Sequence, residues 1–110
     1  MPDLFIHPQG SLPDALRREL EATVAQALAA AMPCPLEYVI PHTVLEMGDA
    51  PLPERTVTAH ITTNFLYDKK DNAKREASRR IKAAVEDAIS RVLGTKAEAF
   101  VIESVPAAKD

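Results

Sequence analysis

Two stretches of the chain carry apolar residues at helical spacing. The first follows a capping-type start, in which Ser11 is followed by Pro13 in the first turn and by Asp14 three positions on. Most charged residues of this stretch fall outside the apolar stripe, which predicts a helix with one buried face. The stripe consists of Leu16, Leu20, Val24, Ala27, Leu28 and Ala31.

A second helix is predicted to begin after Asp71 or Asn72 and to end at Gly94, the residue type that most often terminates helices. Its inner face carries Ala77, Ile81, Ala84, Val85, Ala88, Ile89 and Val92. The opposite side has charges of both signs and is interpreted as a solvated face. These charged residues are Lys74, Glu76, Arg79, Arg80, Lys82, Glu86, Asp87 and Arg91.

The segments around the helices predict four strands, at 4–7, 36–47, 55–67 and 98–105. The third strand alternates apolar residues such as Ile61 with polar residues such as His60, as expected of a sheet with one apolar and one polar face. The second strand has apolar residues on both faces, including Tyr38 and Val39. We therefore expect something beyond the two helices to cover it.

The element order βαββαβ predicts an α+β fold in a single domain, residues 1–110, with a pseudo-repeat of 1–50 and 54–106. A shift of 53 positions places Ile6-His7 on Ala59-His60. Two βαβ units with right-handed crossovers would give a four-stranded mixed sheet with both helices on one face. The other face then meets solvent or a second subunit, and its apolar residues favour a subunit.

Composition narrows the possible functions. The chain has 110 residues, 46% of them hydrophobic, and a net charge of -3, which counts against a general nucleic-acid binder. Its longest apolar run, 27–32, is too short for a membrane span, and no secretory signal is recognised, so a cytoplasmic protein is expected.

Cys34 is the single cysteine and the three histidines are scattered, so neither an internal disulfide nor a metal site is expected.

Further features lie at the start of the chain, where Met1-Pro2 opens directly into the first strand. The sequence resembles the tautomerase superfamily, which includes 4-oxalocrotonate tautomerase and macrophage migration inhibitory factor, in a fused form with two βαβ units. The resemblance rests on residues 2–7, Gly10, the first helix, residues 35–39 and the Glu46-Met47-Gly48 strand end.

The resemblance implies a cofactor-free tautomerase or isomerase that works as a homotrimer. Removal of Met1 would leave Pro2 as a free secondary amine, the general base that moves a proton within a 2-oxo or enol acid. Amino-terminal amines titrate near pH 7.7 to 8.0 in model peptides, and burial lowers that value, so such a base is largely unprotonated at neutral pH.

The arginines that usually hold the substrate carboxylate in this superfamily are absent. Their expected places are occupied by Ser11 or Leu12, by Pro41, and, for the fused relatives, by Asn64 and Tyr67. Lys69 and Lys70 follow the third strand and are the candidate replacements for binding a small carboxylate-bearing substrate. The candidate substrate-binding set is completed by His42, His60, Asn64 and Tyr67.

Two alternatives stay open at this point. The missing arginines are compatible with a tautomerase-like oligomer that has lost its chemistry. The same βαββαβ order also occurs in ferredoxin-like domains, some of which bind small ligands. The two folds differ in strand pairing, since the ferredoxin-like sheet is antiparallel and places the first strand between the third and the fourth.

Overall fold

The chain folds as two βαβ units joined in one sheet. The computed structural model describes residues 2–8, 10, 12–44, 56–66 and 69–103. In chain order these form β1 (Asp3–His7), α1 (Asp14–Ala31), a 3-10 helix (Leu36–Tyr38), β2 (Ile40–Thr43), β3 (Thr56–Thr63), α2 (Asp71–Leu93) and β4 (Lys96–Glu103). The predicted α+β class and βαββαβ order are confirmed. None of the described helices combines the length and apolar character that crossing a membrane requires.

Strand pairing distinguishes this fold from the ferredoxin-like alternative. The sheet order is β2-β1-β3-β4, with β1 parallel to β2, β3 parallel to β4, and β1 antiparallel to β3. Ile6 lies opposite Ala59 in the antiparallel pair, the two residues that the 53-residue shift superimposes. Since β1 lies between β2 and β3 and each βαβ unit contains a parallel pair, the ferredoxin-like interpretation is wrong.

Both helices pack on one side of the sheet, which we call the inner face. The interior follows the predicted stripes, because the apolar residues of α1 and α2 meet the inward residues of the central strands β1 and β3. Side chains with no exposed area include Leu4, Ile6, Leu20, Val24, Leu28, Val57, Ala59, Ile61, Ile81, Val85, Ala88 and Ile89.

The opposite side of the sheet, the outer face, carries a row of rings across all four strands. His42, Phe5, His60 and Phe100 are in register on β2, β1, β3 and β4. The Phe5 and His42 rings stack with centroids 4.9 Å apart, and those of His60 and Phe100 are 5.5 Å apart. Neither described helix packs on this row, although the Lys82 ammonium of α2 lies 5.8 Å from the centre of the Phe100 ring, and Phe100 is 43% exposed.

The second strand was predicted to begin at residue 36, but β2 begins at Ile40. Residues Leu36–Tyr38 form a 3-10 turn instead, in which the Tyr38 amide donates to the Pro35 carbonyl at 3.0 Å. Proline at this position has a fixed φ near −60° that suits the start of a tight turn, and it supplies a carbonyl acceptor. The remainder of the predicted strand, 45–47, lies outside the described residues.

Other element ends also differ from the prediction. β3 ends at Thr63 because the Phe65 amide donates to the Thr63 hydroxyl at 3.0 Å, which turns the chain. β4 begins at Lys96, earlier than predicted, because Gly94 ends α2 sharply with φ 65° and its amide donates to the Ser90 carbonyl at 2.8 Å. The predicted stop at Gly94 is confirmed, whereas the predicted cap at Ser11 lies outside the described residues.

The free edge of β4 is occupied by side chains from α2. The Lys82 ammonium donates to the Ala99 carbonyl at 3.1 Å, and the Ala99 amide donates to the Glu86 carboxylate at 3.0 Å. Lys82 and Glu86 also pair with each other one helical turn apart. The pair therefore satisfies backbone groups that an edge strand otherwise presents to another chain.

Candidate functional site

Pro2 lies at the end of the sheet where β1 and β2 begin and β3 and β4 end. It is buried, and its carbonyl accepts a hydrogen bond from the Ile40 amide at 3.4 Å. The next residue, Asp3, pairs with Thr62, so Pro2 is beside Thr63, the last residue of β3. We call this region the Pro2 end of the sheet.

The loop after β3 places Lys69 at the same end. Its backbone amide donates to the Leu66 carbonyl at 3.1 Å, which closes the loop into a turn. The Lys69 ammonium lies 4.3 Å from the centre of the Phe65 ring, within the range of a cation–π interaction. Lys69 is half-buried, while Lys70, which precedes α2, is exposed.

A cavity of about 210 Å³ adjoins this lysine and is lined by Lys69, Ala73, Glu76, Ala77 and Arg80. The Arg80 Nε donates to the carbonyl of Ala31 at the end of α1, at 3.1 Å, which fixes the guanidinium between the two helices. Neither Lys69 nor Arg80 forms an ion pair with a carboxylate among the residues that the structure describes. In this Lys69–Arg80 cavity two cations outnumber the single Glu76 carboxylate, so the cavity can bind a carboxylate.

Arg80 was missed by the sequence analysis, which placed it on the solvated face of α2. A usable signal exists, because Ala73, Ala77 and Arg80 follow one another at four- and three-residue spacing and so share one side of the helix. Two alanines in the turns before an arginine leave space beside the guanidinium. The cavity forms in that space.

The remaining predicted site residues occupy different parts of the molecule. Asn64 is exposed directly after β3, at the Pro2 end, whereas His42 and His60 lie on the outer face, paired on either side of Phe5. Tyr67 and the Glu-Met-Gly segment 46–48 lie outside the described residues. The predicted roles of His42, His60, Asn64 and Tyr67 in substrate binding stay predictions.

Comparison with known proteins supports the fold assignment through structure alone. No family model matches the chain, and no curated protein matches its sequence. Among solved structures, the chain has the fold of tautomerase-superfamily proteins, which confirms the predicted resemblance at the level of the fold.

The similar structures cover nearly the whole chain. A macrophage migration inhibitory factor-like protein from Entamoeba histolytica has a TM-score of 0.71 at 13% identity, covering 99% of this chain and 95% of that one. Macrophage migration inhibitory factor from Toxoplasma gondii gives 0.70 at 17% identity, covering 94% and 90%. A wild-type fused 4-OT, described as a symmetric trimer, gives 0.65 at 16% identity, covering 93% and 85%.

Proposed function

We propose that this chain is a cofactor-free tautomerase or isomerase, in which the Pro2 nitrogen moves a proton within a small 2-oxo or enol acid. The observation that carries the proposal is the position of Pro2, buried at the start of β1 in a fold shared with macrophage migration inhibitory factor and fused 4-OT. The proposal requires removal of Met1, because an amide nitrogen has no lone pair available to accept a proton.

The surroundings of Pro2 favour the neutral, basic form of a free amine. Burial would disfavour the charged ammonium of a free Pro2 amine, and would so lower its pKa from the usual 7.7 to 8.0 of amino-terminal amines. The neutral nitrogen takes a proton from the carbon or hydroxyl next to the carbonyl. It then returns that proton at the other end of the enol system, so no cofactor is consumed.

Lys69 and Arg80 would hold the substrate carboxylate. Both cations line one cavity, and Arg80 is fixed by its hydrogen bond to Ala31. Lys70 and Asn64, exposed at the same end of the sheet, would lie at the entrance. A guanidinium and an ammonium near the substrate would also stabilise negative charge that develops on the enolate oxygen.

The base is tested by intact mass together with ketonisation of phenylenolpyruvate. The native protein is expected to lack Met1, and Pro2→Ala is expected to lower kcat/KM at least about 100-fold, the usual minimum contribution of a general base. Undiminished activity in Pro2→Ala would remove Pro2 from the mechanism.

The carboxylate site is tested by a matched arginine pair on one helix. Arg80→Ala is expected to raise KM about tenfold, because it removes one charge-assisted hydrogen bond to the carboxylate. Arg79→Ala, at the neighbouring exposed position outside the Lys69–Arg80 cavity, is the control and should leave KM unchanged. Equal effects of the two variants would contradict the assigned site.

We further propose that three copies assemble through their outer faces. Ile40, Phe100 and Ile102 are 39%, 43% and 46% exposed on this face, an apolar surface of the kind that marks protein interfaces. Sedimentation should give three times the chain mass of 12.0 kDa. Ile102→Asp should dissociate the assembly, while Ala22→Asp, at an exposed position of α1, should not. A monomeric wild-type protein would contradict this arrangement.

The alternative is a tautomerase-like oligomer without activity. It is favoured by the absence of arginine at positions 11, 12 and 41, where the superfamily resemblance leads one to expect it. Retention of Met1, with no ketonisation activity and an intact trimer, would select this alternative.

A further inference from the structure

Two of the three histidines, far apart in the sequence, meet on the outer face. β1 and β3 pair so that Phe5 is opposite His60 and His7 is opposite Thr58, which makes His7 and His60 diagonal neighbours. The His60 Nδ1 lies 3.2 Å from the His7 Nε2, and the ring centroids are 5.0 Å apart at an angle of 70°. We propose that this pair binds one divalent transition-metal ion, with zinc as the representative ion.

The distance between the two nitrogens fits a chelating pair. Imidazole nitrogens bind zinc at about 2.0–2.1 Å, so two of them are about 3.3 Å apart in a tetrahedral site and about 2.9 Å apart at a right angle. The observed 3.2 Å lies between these values. An ion bound to both nitrogens would replace the hydrogen bond between the two rings.

The sheet holds both rings before any ion arrives. His7 and His60 project from adjacent strands in an antiparallel ladder, and the His60 ring also packs against Phe100 at 5.5 Å. Both histidines are half-buried in the single chain, so their rings are partly ordered by packing. Preorganised ligands lose little conformational entropy on binding.

The charged groups around the pair do not complete the coordination of the ion. Glu98 lies opposite Thr58 on β4, Asp3 and Lys96 share the face, and the Lys82 ammonium of α2 lies 5.8 Å from the centre of the Phe100 ring. Among the described residues, no third His, Cys, Asp or Glu joins the pair in a metal-binding group. The chain therefore supplies two ligands, and the remaining coordination positions are left for water or for a neighbouring copy in the proposed trimer.

The ligand chemistry selects the class of ion. Neutral imidazole suits zinc, nickel and copper, whereas magnesium and calcium require oxygen ligands. Both histidines must be deprotonated at the binding nitrogen, so protons compete with the ion for the same two nitrogens.

The experiment is a calorimetric titration of the untagged full chain with zinc and with nickel at pH 7.5 in a non-coordinating buffer. One ion per chain is expected, and His7→Gln and His60→Gln should each weaken binding at least tenfold. His42→Gln is the matched control, because His42 is on the same face but contacts Phe5 rather than the pair. Its affinity should equal that of the wild type.

Several outcomes would overturn the proposal. These are no binding by the wild type, binding that survives His60→Gln, or an equal loss in His42→Gln. If a glutamine variant does not fold, zinc-induced shifts of the histidine ring signals in the NMR spectrum of the wild type decide the question, since His7 and His60 should move and His42 should not. Pro2→Ala should bind zinc normally, so failure of the proposed catalysis would leave this site unaffected.

Discussion

The two faces of the sheet are built from alternating residues of the same strands and have opposite properties. Along β3, Val57, Ala59 and Ile61 point inward and have no exposed area. The intervening Thr58, His60 and Thr62 point outward and are half-buried. The inner face packs against α1 and α2, while neither of these two helices packs on the outer face.

Residues on the inner face are buried by the helices and stabilise the single chain. Residues on the outer face are not buried by either helix. Every large side chain on the inner face of β1 and β3 is already covered by α1 or α2. The outer face keeps large apolar side chains such as Phe100 and Ile102 almost half exposed. Folding of one chain does not bury these side chains, whereas the proposed trimer would.

Isoleucine occurs on both faces of the sheet, so truncation of one residue type can be compared between them. Ile61→Ala should lower the free energy of unfolding by about 2–5 kcal/mol, because it leaves a cavity in the interior. Ile102→Ala should lower it by less than about 0.5 kcal/mol, the usual range for surface positions. The measurement is urea denaturation at a protein concentration low enough to keep the chain monomeric.

The two isoleucine variants also test whether the outer face is covered within one chain. Equal losses for Ile61→Ala and Ile102→Ala would mean that the outer face is covered within the single chain. A loss for Ile102→Ala that grows with protein concentration would instead place its burial in the oligomer, as the proposed trimer requires.

Helical periodicity and strand alternation predicted the βαββαβ element order, whereas the strand pairing that excludes a ferredoxin-like sheet came from the structure. The apolar stripe of α2 and the stop at Gly94 are local patterns, and the structure confirms both. Alternation along β3 also assigned its two faces correctly. These features could be predicted because each depends on residues within a few positions of one another.

The site depended on contacts that sequence patterns do not encode. Arg80 lies on the charged side of α2, and its hydrogen bond to Ala31 comes from how α1 and α2 pack. His7 and His60 meet only through the β1–β3 register, which their separate positions in the chain do not reveal. The turn at Leu36–Tyr38 was missed because its apolar residues match a strand pattern.

A smaller effect compares adjacent threonines on opposite faces. Thr63 is 2% exposed and its hydroxyl accepts the Phe65 amide, so Thr63→Val should lower the free energy of unfolding by about 1 kcal/mol. Thr62→Val, on the half-buried outer side, should be near neutral. Thermal unfolding followed by circular dichroism measures both. A neutral Thr63→Val would show that this hydrogen bond does not stabilise the turn toward Lys69.

The Lys82–Glu86 pair at the β4 edge should stabilise the protein only slightly. Its contribution to the free energy of unfolding depends on pH. Burial by itself raises the pKa of Glu86, but hydrogen bonds from Lys82 and from the Ala99 amide, together with the Lys82 charge, bring it below 4.5. A carboxylate whose pKa is lowered by folding stabilises the protein above its unfolded pKa, and that contribution is lost as the pH falls through the folded value. Glu86→Gln should therefore cost most above about pH 5.

The expected cost is about 0.5 kcal/mol, because the Lys82 side chain is 44% exposed and solvent screens the pair. Urea denaturation of Glu86→Gln and wild type at pH 7 and at pH 3 should show the difference shrinking at the lower pH, where the wild-type carboxylate becomes protonated. Glu76→Gln, an exposed position on the same helix, serves as the control and should show no such trend. A difference that stays constant with pH would mean that Glu86 stabilises the β4 edge through its shape and hydrogen-bond acceptor alone, without its charge.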